Sequence, residues 1–358
     1  MASTYVIAEA GVNHNGSPER ALEMVDAAAE AGADAVKFQT FKADQLVRRY
    51  AMKAAYQART TGEEESQLEM VRKLELDVEA HHRIAAQCRE RGIEFLSTPF
   101  DLGSVDLLVH EMKLPKVKIG SGEVTNAPLL LHVARTGTPV ILSTGMSLLG
   151  DVETALGVLA FGYVGGQEKA SVKSFGKAYS SREGQEALRQ KVVLLHCTTE
   201  YPTPFAEVNL RAMQTLGKAF GLRVGLSDHT TGYAVAVASV ALGACVIEKH
   251  FTLSRDLPGP DHLSSLEPAE LRAMVNAIRE VETALGSAQK VITKSERGNS
   301  EVARKSLVAL KPIAQGEVFT EENLGVKRPG TGVSPLLYWD HLGRMAARDY
   351  GVDEAIDG

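Results

Sequence analysis

Short runs of Val, Ile, Leu and Ala alternate along the chain with longer helical stretches, and this happens eight times. The apolar runs are Tyr5 to Glu9, Ala35 to Gln39, Glu94 to Thr98, Lys116 to Gly120, Pro139 to Ser143, Val192 to Cys197, Val224 to Asp228, and Cys245 to His250. Strands of this kind separated by helices predict a parallel sheet covered by helices. Eight such repeats match a closed (β/α)8 TIM barrel. An open doubly wound sheet is the alternative, but it would more often carry a Gly-rich phosphate loop after the first strand, and AEAGVNHNG is not one. The helices have legible ends. Ser17 and Pro18 read as a cap and first helical residue, while Gly32, Gly92, Gly137 and Gly243 suit helix-terminating positions.

Polar residues gather where each apolar run finishes. They are Glu9, Lys37 and Gln39, Ser97 and Thr98, Lys118 and Ser121, Ser143, His196 and Thr198, Asp228 and His229, and Glu248 and His250. A single polar residue at a strand end is usually turn chemistry. Eight strands doing so together point to a site, because in a barrel all carboxyl-terminal strand ends converge on one mouth. Two connections are long. Phe41 to Leu76 follows the second strand and so rises over that mouth, as a lid or specificity element would. Gly162 to Lys191 precedes the sixth strand and emerges on the opposite face, where its Gly, Ser and Lys content suggests a mobile or assembly-related insertion.

These elements divide the chain into a catalytic barrel over 1–285, ending in a helix Pro268 to Leu285, a polar linker over 286–304, and a small β-rich unit over 305–358. The last unit is short enough that it is expected to lean on a barrel, its own or a partner's.

Composition narrows the function classes. Apolar residues are 44% and charged residues 23%, and no apolar run is long enough for a membrane span. The amino terminus shows no export signal. Cys88, Cys197 and Cys245 are odd in number and far apart, which suits reduced thiols in a cytoplasm. A net charge of −6 without a basic run excludes the footprint of a nucleic-acid binder.

The strand-end residues suggest chemistry. His229 and His250 end neighbouring strands, so two imidazoles plus waters could hold manganese, zinc or a similar divalent ion, with Glu248, Asp228 and Asp261 of the PGPD segment as nearby carboxylates. Histidines at such positions are more often hydrogen-bonded structural residues, and it is their company that favours a ligand role. Lys37, Lys118, Ser121 and Ser143 bring cations and hydroxyls from converging strands, which suits a phosphate or carboxylate. A lysine inside a barrel could instead form a Schiff base, as in an aldolase. A non-catalytic carbohydrate-binding protein is the further rival, but it needs neither an anion cradle nor a metal pair.

In order along the chain, AEAGVNHNG, AVKFQT, STPF, KIGSGE, ILSTGM, HCTTEYPTP, GLSDHT, EKHFT and PGPD resemble the sialic acid synthases, and the VKRPG tail is similar to their antifreeze-like (SAF) domain. The resemblance implies a barrel with a swapped small domain in a homodimer, and a divalent metal, manganese or magnesium, on His229 and His250. It implies that phosphoenolpyruvate is condensed with an N-acylated amino sugar. Lys37, Thr98, Lys118, Ser121 and Ser143 would bind phosphoenolpyruvate, Tyr201 and Asp261 the sugar, and Arg328 the partner's site; Glu9 matches the family's candidate acid or base. Gln39 joins the substrate-binding set, and Glu248 and Asp228 join Glu9 as catalytic candidates. Thr199 in HCTT stands where bacterial relatives that use N-acetylmannosamine often have Asn, and the segment TGEEESQLEMVRKLEL is similar to the legionaminic acid synthase branch, whose sugar is a 2,4-diacetamido-2,4,6-trideoxymannose. Selectivity for its 6-deoxy and 4-acetamido groups is expected in the loop after the second strand.

Overall fold

The eight apolar runs form eight parallel strands: β1 (Tyr5–Gly11), β2 (Ala35–Thr40), β3 (Glu94–Pro99), β4 (Val117–Ile119), β5 (Val140–Ser143), β6 (Val192–Cys197), β7 (Arg223–Asp228) and β8 (Val246–His250). In this computed structural model, which describes residues 3–53, 57–58, 61–62 and 65–358, they pair in the order β3-β2-β1-β8-β7-β6-β5-β4. β1 pairs in parallel with β8, so the sheet curls round, and β3 and β4 lie side by side without a hydrogen-bonded ladder, leaving a nearly closed barrel. The fold is therefore the (β/α)8 barrel, not the open sheet.

Period-two alternation decides what fills it. Ile7, Ala35, Leu96, Ile141, Val193, Leu195 and Val246 point inward and form the apolar floor. Their neighbours Val6, Val36, Phe38, Phe95, Val117, Leu142, Leu194 and Ile247 point outward into the larger core shared with the helices. At Gly225 the backbone comes so close to β8 that an added Cβ would sit 2.2 Å from the Val246 carbonyl oxygen, so no side chain fits.

The helix ends follow their sequence signals. Ser17 accepts from the Arg20 amide in front of the helix Pro18–Glu30, and Gly92 closes the helix Val78–Arg91 in the left-handed conformation. The 162–191 connection is built into the shell. It holds helices Val172–Ser180 and Arg182–Lys191, with Phe175, Ala178 and Leu188 buried and the Phe175 ring 5.4 Å from that of Phe161. Its polar residues lie on the outer faces of two amphipathic helices, which is why composition alone suggested a mobile insertion.

The chain divides at Gly286 into two compact units. In the second, β9 (Ser306–Ala309) pairs antiparallel with β10 (Leu324–Lys327). The unit closes a core of its own from Leu307, Ile313, Phe319, Leu324, Tyr350 and Ile356. The polar stretch read as a linker carries a helix, Lys294–Ala303, started by a reciprocal capping box between Thr293 and Glu296. None of its residues is buried, so no apolar stripe announces it.

Candidate active site

On six of the eight strands the inward series changes from apolar to polar toward the carboxyl end: Ile7 to Glu9, Ala35 to Lys37 and Gln39, Leu96 to Thr98, Ile141 to Ser143, Leu195 to Cys197, and Val246 to Glu248 and His250. These polar ends line one cavity of about 490 Å³. It also takes in Lys118, Ser121, Thr199, Tyr201, Ser227, His229 and Asp261.

The deepest groups form an ion network. The Lys37 Nζ lies 2.7 Å from Glu9 Oε2 and 3.6 Å from Glu248 Oε2, and donates to Thr98 Oγ1 at 3.1 Å. Lys118 Nζ lies 3.4 Å from Glu248 Oε1, which also accepts from Ser227 Oγ at 3.0 Å. Gln39 Nε2 reaches Glu9 Oε1 at 3.4 Å. Burial disfavours charge throughout, and the neighbours decide who keeps it. Burial pushes the Glu9 carboxyl up to about 7, with Lys37 pulling against it. Glu248 stays below the ordinary carboxylate range because Lys118 and Lys37 together outweigh its burial. Lys37 is held above its usual value, against burial, by Glu248 and Glu9; Lys118 is lowered by burial, which Glu248 only partly offsets.

Near this network two hydroxyls, Ser143 Oγ and Thr199 Oγ1, are buried without a hydrogen-bond partner among the described residues. Ser121 Oγ accepts from the Gly145 amide at 2.9 Å, and a Cβ on Gly145 would lie 2.3 Å from Thr199 Oγ1. Two buried ammonium groups, free hydroxyls and a side-chain-free approach at Gly145 are what a small oxyanion requires. Unsatisfied buried groups cost stability unless something binds them.

His229 and His250 lie beside the network with ring centroids 5.2 Å apart, and the Tyr201 ring lies 4.2 Å from that of His229 at a tilt of 32°. His229 Nδ1 is 2.7 Å from the Thr198 carbonyl oxygen. A carbonyl only accepts, so this nitrogen carries a hydrogen, and Nε2 lies 3.5 Å from Ser227 Oγ. His250 Nδ1 is buried without a hydrogen-bond partner, 3.9 Å from Asp261 Oδ2, and burial followed by His229 and Lys37 keeps the ring neutral. Burial raises Asp261 to about 6, with His229 drawing it down. His229 is held above the ordinary imidazole value, against burial, by Cys197 and the Thr198 carbonyl, so a divalent ion held by the two rings, with water or substrate as its other ligands, would displace a proton there. Among the described residues no three His, Cys, Asp or Glu side chains gather as a closed metal cage.

Four of the strand-end polar residues expected at the mouth, Asp228, His196, Ser97 and Thr198, do not line the cavity. Asp228 turns outward, with Oδ2 2.9 Å from Lys249 Nζ and Oδ1 accepting from the Thr230 amide and hydroxyl. Alternation explains it: with Ser227 and His229 facing in, Asp228 faces out, and so does Lys249 between Glu248 and His250. His196 likewise bonds the Val208 carbonyl at 2.6 Å while Cys197 faces the cavity. Counting by twos back from His229 leads to Ser227, and counting on from Val193 and Leu195 leads to Cys197. Arg328 belongs to the second unit, exposed just after β10.

The loop after β2 forms the remaining wall. Phe41, Leu46, Val47, Ala51, Met70, Val71 and Leu74 face the cavity, with Arg48, Gln57 and Gln67 among them. Leu68, Met70, Val71 and Leu74 pack with Val12 and Phe41 into a small core that fixes the helix Gln67–Arg72. Of the TGEEESQLEMVRKLEL segment, Glu63 and Glu64 lie outside the described residues.

Comparison with known proteins gives the same picture. The NeuB family model matches residues 24–290 and the SAF domain model residues 304–356. The chain is 50% identical over 356 residues to the N,N'-diacetyllegionaminic acid synthase of Campylobacter jejuni subsp. jejuni serotype O:2, covering 99% of each. It is 44% identical to the protein of that name from Legionella pneumophila subsp. pneumophila, over 92% of this chain and 87% of the other. Among solved structures it is similar to the N-acetylneuraminic acid (sialic acid) synthetase of Leptospira borgpetersenii serovar Hardjo-bovis, crystallised with citrate. The TM-score is 0.65 at 31% identity, over 83% of this chain and 90% of that one.

Proposed function

Because the chain belongs to the NeuB family, with a SAF domain at its carboxyl end, we propose that it condenses phosphoenolpyruvate with 2,4-diacetamido-2,4,6-trideoxymannose, forming N,N'-diacetyllegionaminate and releasing phosphate. The observation that carries this reading is the meeting, in one cavity, of a buried anion cradle and two adjacent histidines. The relatives named for legionaminic acid support this sugar over N-acetylmannosamine, as does the apolar wall of the β2 loop, which suits a 6-deoxy carbon better than a hydroxymethyl group.

Lys37, Lys118, Thr98, Ser121 and Ser143 hold the phosphate and carboxylate of phosphoenolpyruvate. Tyr201, Thr199 and Asp261 orient the open-chain sugar, with Gln39 beside Glu9. A divalent ion, manganese or magnesium, on His229 and His250 would act as a Lewis acid on the sugar aldehyde. The methylene carbon of phosphoenolpyruvate bonds to the aldehyde carbon as the carbonyl π pair moves to the aldehyde oxygen, which takes a proton from water to become a hydroxyl, and positive charge develops at the enol carbon. Water adds there, its proton going to Glu9, whose raised pKa suits a base working near neutrality. The tetrahedral centre then loses phosphate by carbon–oxygen cleavage. Glu248, charged between the two lysines, keeps both ammonium groups aimed into the cradle.

Arg328 is read as serving the sugar site of a partner chain in a homodimer, on the family resemblance and its exposed place after β10. A cytoplasmic setting is supported by three cysteines that are all free thiols. The test is a panel of N-acylated mannose derivatives with phosphoenolpyruvate, read by mass spectrometry. The trideoxy diacetamido sugar should give the highest kcat/KM, and a preference for N-acetylmannosamine would overturn the choice of sugar.

A further inference from the structure

The turn after β1, Asn13-His14-Asn15-Gly16, is prominent in the sequence yet does not line the cavity. Its side chains go instead to the loop after β8 that ends at Asp261. Asn13, fully buried, donates through Nδ2 to the Phe251 carbonyl at 2.9 Å and to Ser265 Oγ at 3.0 Å; Ser265 Oγ donates on to the Asp261 carbonyl at 2.7 Å. Asn15 Nδ2 donates to the Pro258 carbonyl at 2.6 Å, and Asn15 Oδ1 lies 3.2 Å from Nε2 of His262, the residue after Asp261. His262 is fully buried, and its Nδ1 sits 2.7 Å from Thr252 Oγ1. Asn15 itself has φ of 51°, a left-handed conformation that asparagine tolerates better than most residues. Gly259 completes the fit, since a Cβ there would lie 2.8 Å from Asn15 Oδ1.

Two routes thus run from the β1 turn to Asp261, one through Asn13 and Ser265 to its carbonyl, the other through Asn15 to Pro258 before it and His262 after it. We propose that Asn13, Asn15 and His262 are a clamp that positions Asp261 for the sugar, tying the strand that carries Glu9 to the loop that carries the sugar-binding carboxylate. The clamp residues touch no substrate; they are positioning residues. The proposal rests on the reading of Asp261 as a sugar ligand. A loop of eight residues between Ser254 and Asp261, with three prolines and glycines near its end, has no strand or helix of its own to fix that carboxylate. These bonds supply the missing constraint.

Asn15→Gly is the informative variant, because glycine keeps the left-handed backbone and deletes only the side-chain bonds. It should raise KM for the sugar about tenfold, leave KM for phosphoenolpyruvate within about twofold and leave the melting temperature near wild type. Ser265→Ala, which cuts the other route, should act in the same direction. Asp261→Asn should raise the sugar KM by itself, and Asn15→Gly added to it should change little further, since the clamp acts through that carboxylate. Additive effects of the two substitutions, or equal rises in both KM values, would overturn the clamp. A silent Asn15→Gly and Ser265→Ala beside a strong Asp261→Asn would do the same while leaving the sugar reading intact. A silent Asp261→Asn would remove the role of Asp261, and the clamp with it.

Discussion

At the scale of single residues, burial and charge make separable demands. Glu9 is proposed as the base, and its carboxyl sits at about 7 because burial raises it further than Lys37 lowers it. Below that value it holds a proton and cannot accept one, so kcat/KM should fall as pH drops through 7. Glu9→Gln should lower activity by roughly a hundredfold and flatten that acid limb, read from initial rates between pH 6 and 8. An acid limb of unchanged shape in the variant would assign it to another group. The histidines make a different demand. His250→Ala and His229→Ala should each lose bound divalent metal and turnover while the barrel still melts cooperatively, because strand-end side chains serve the site more than the core. Metal analysis of purified variants checks this, and full occupancy in both would end the ligand assignment.

At the scale of elements, the alternation of β7 and β8 separates the site from the scaffold. Asp228 and Lys249 form an almost solvent-free pair outside the barrel, with the Lys249 ammonium also 2.5 Å from the Thr230 carbonyl. Removing one partner strands the other charge, so Asp228→Ala should cost about 3 kcal/mol in denaturant unfolding. In folded enzyme both KM values should stay close to wild type. A large kinetic defect with unchanged stability would return Asp228 to the catalytic set. The eight strands were legible because each is an apolar run with a polar end, and Lys37 and Lys118 were legible because each falls on the inward parity of its strand, between outward-facing Val36 and Phe38 and between Val117 and Ile119. Asp228 shares strand-end polarity with its neighbours, and only the period-two alternation separates its outward direction from theirs. The wall made by Met70, Gln57 and Gln67 is a matter of how the β2 loop folds back. The helix Lys294–Ala303 and the packed pair over 172–191 escaped for a related reason: polar outer faces dominate their composition, and their buried contacts are few or absent.

At the scale of the whole molecule, the second unit has its own small core and carries Arg328 on its surface. If that arginine serves a partner's site, two defective chains should repair each other. Glu9→Ala mixed and refolded with Arg328→Ala should give heterodimers with up to about half the wild-type activity when the sites act independently. A heterodimer verified by mass spectrometry that stays inactive would put Arg328 in its own chain's site or reveal coupled sites. The central claim, that the cavity at the strand ends joins the two substrates and expels phosphate by carbon–oxygen cleavage, has a direct measurement. Phosphoenolpyruvate labelled with oxygen-18 at the bridging position is turned over with the trideoxy diacetamido sugar, and phosphate and product are weighed together. One labelled phosphate should appear per nine-carbon product, with the label absent from the sugar acid. Unlabelled phosphate, or phosphate released without any product containing the carbons of both substrates, would contradict the account.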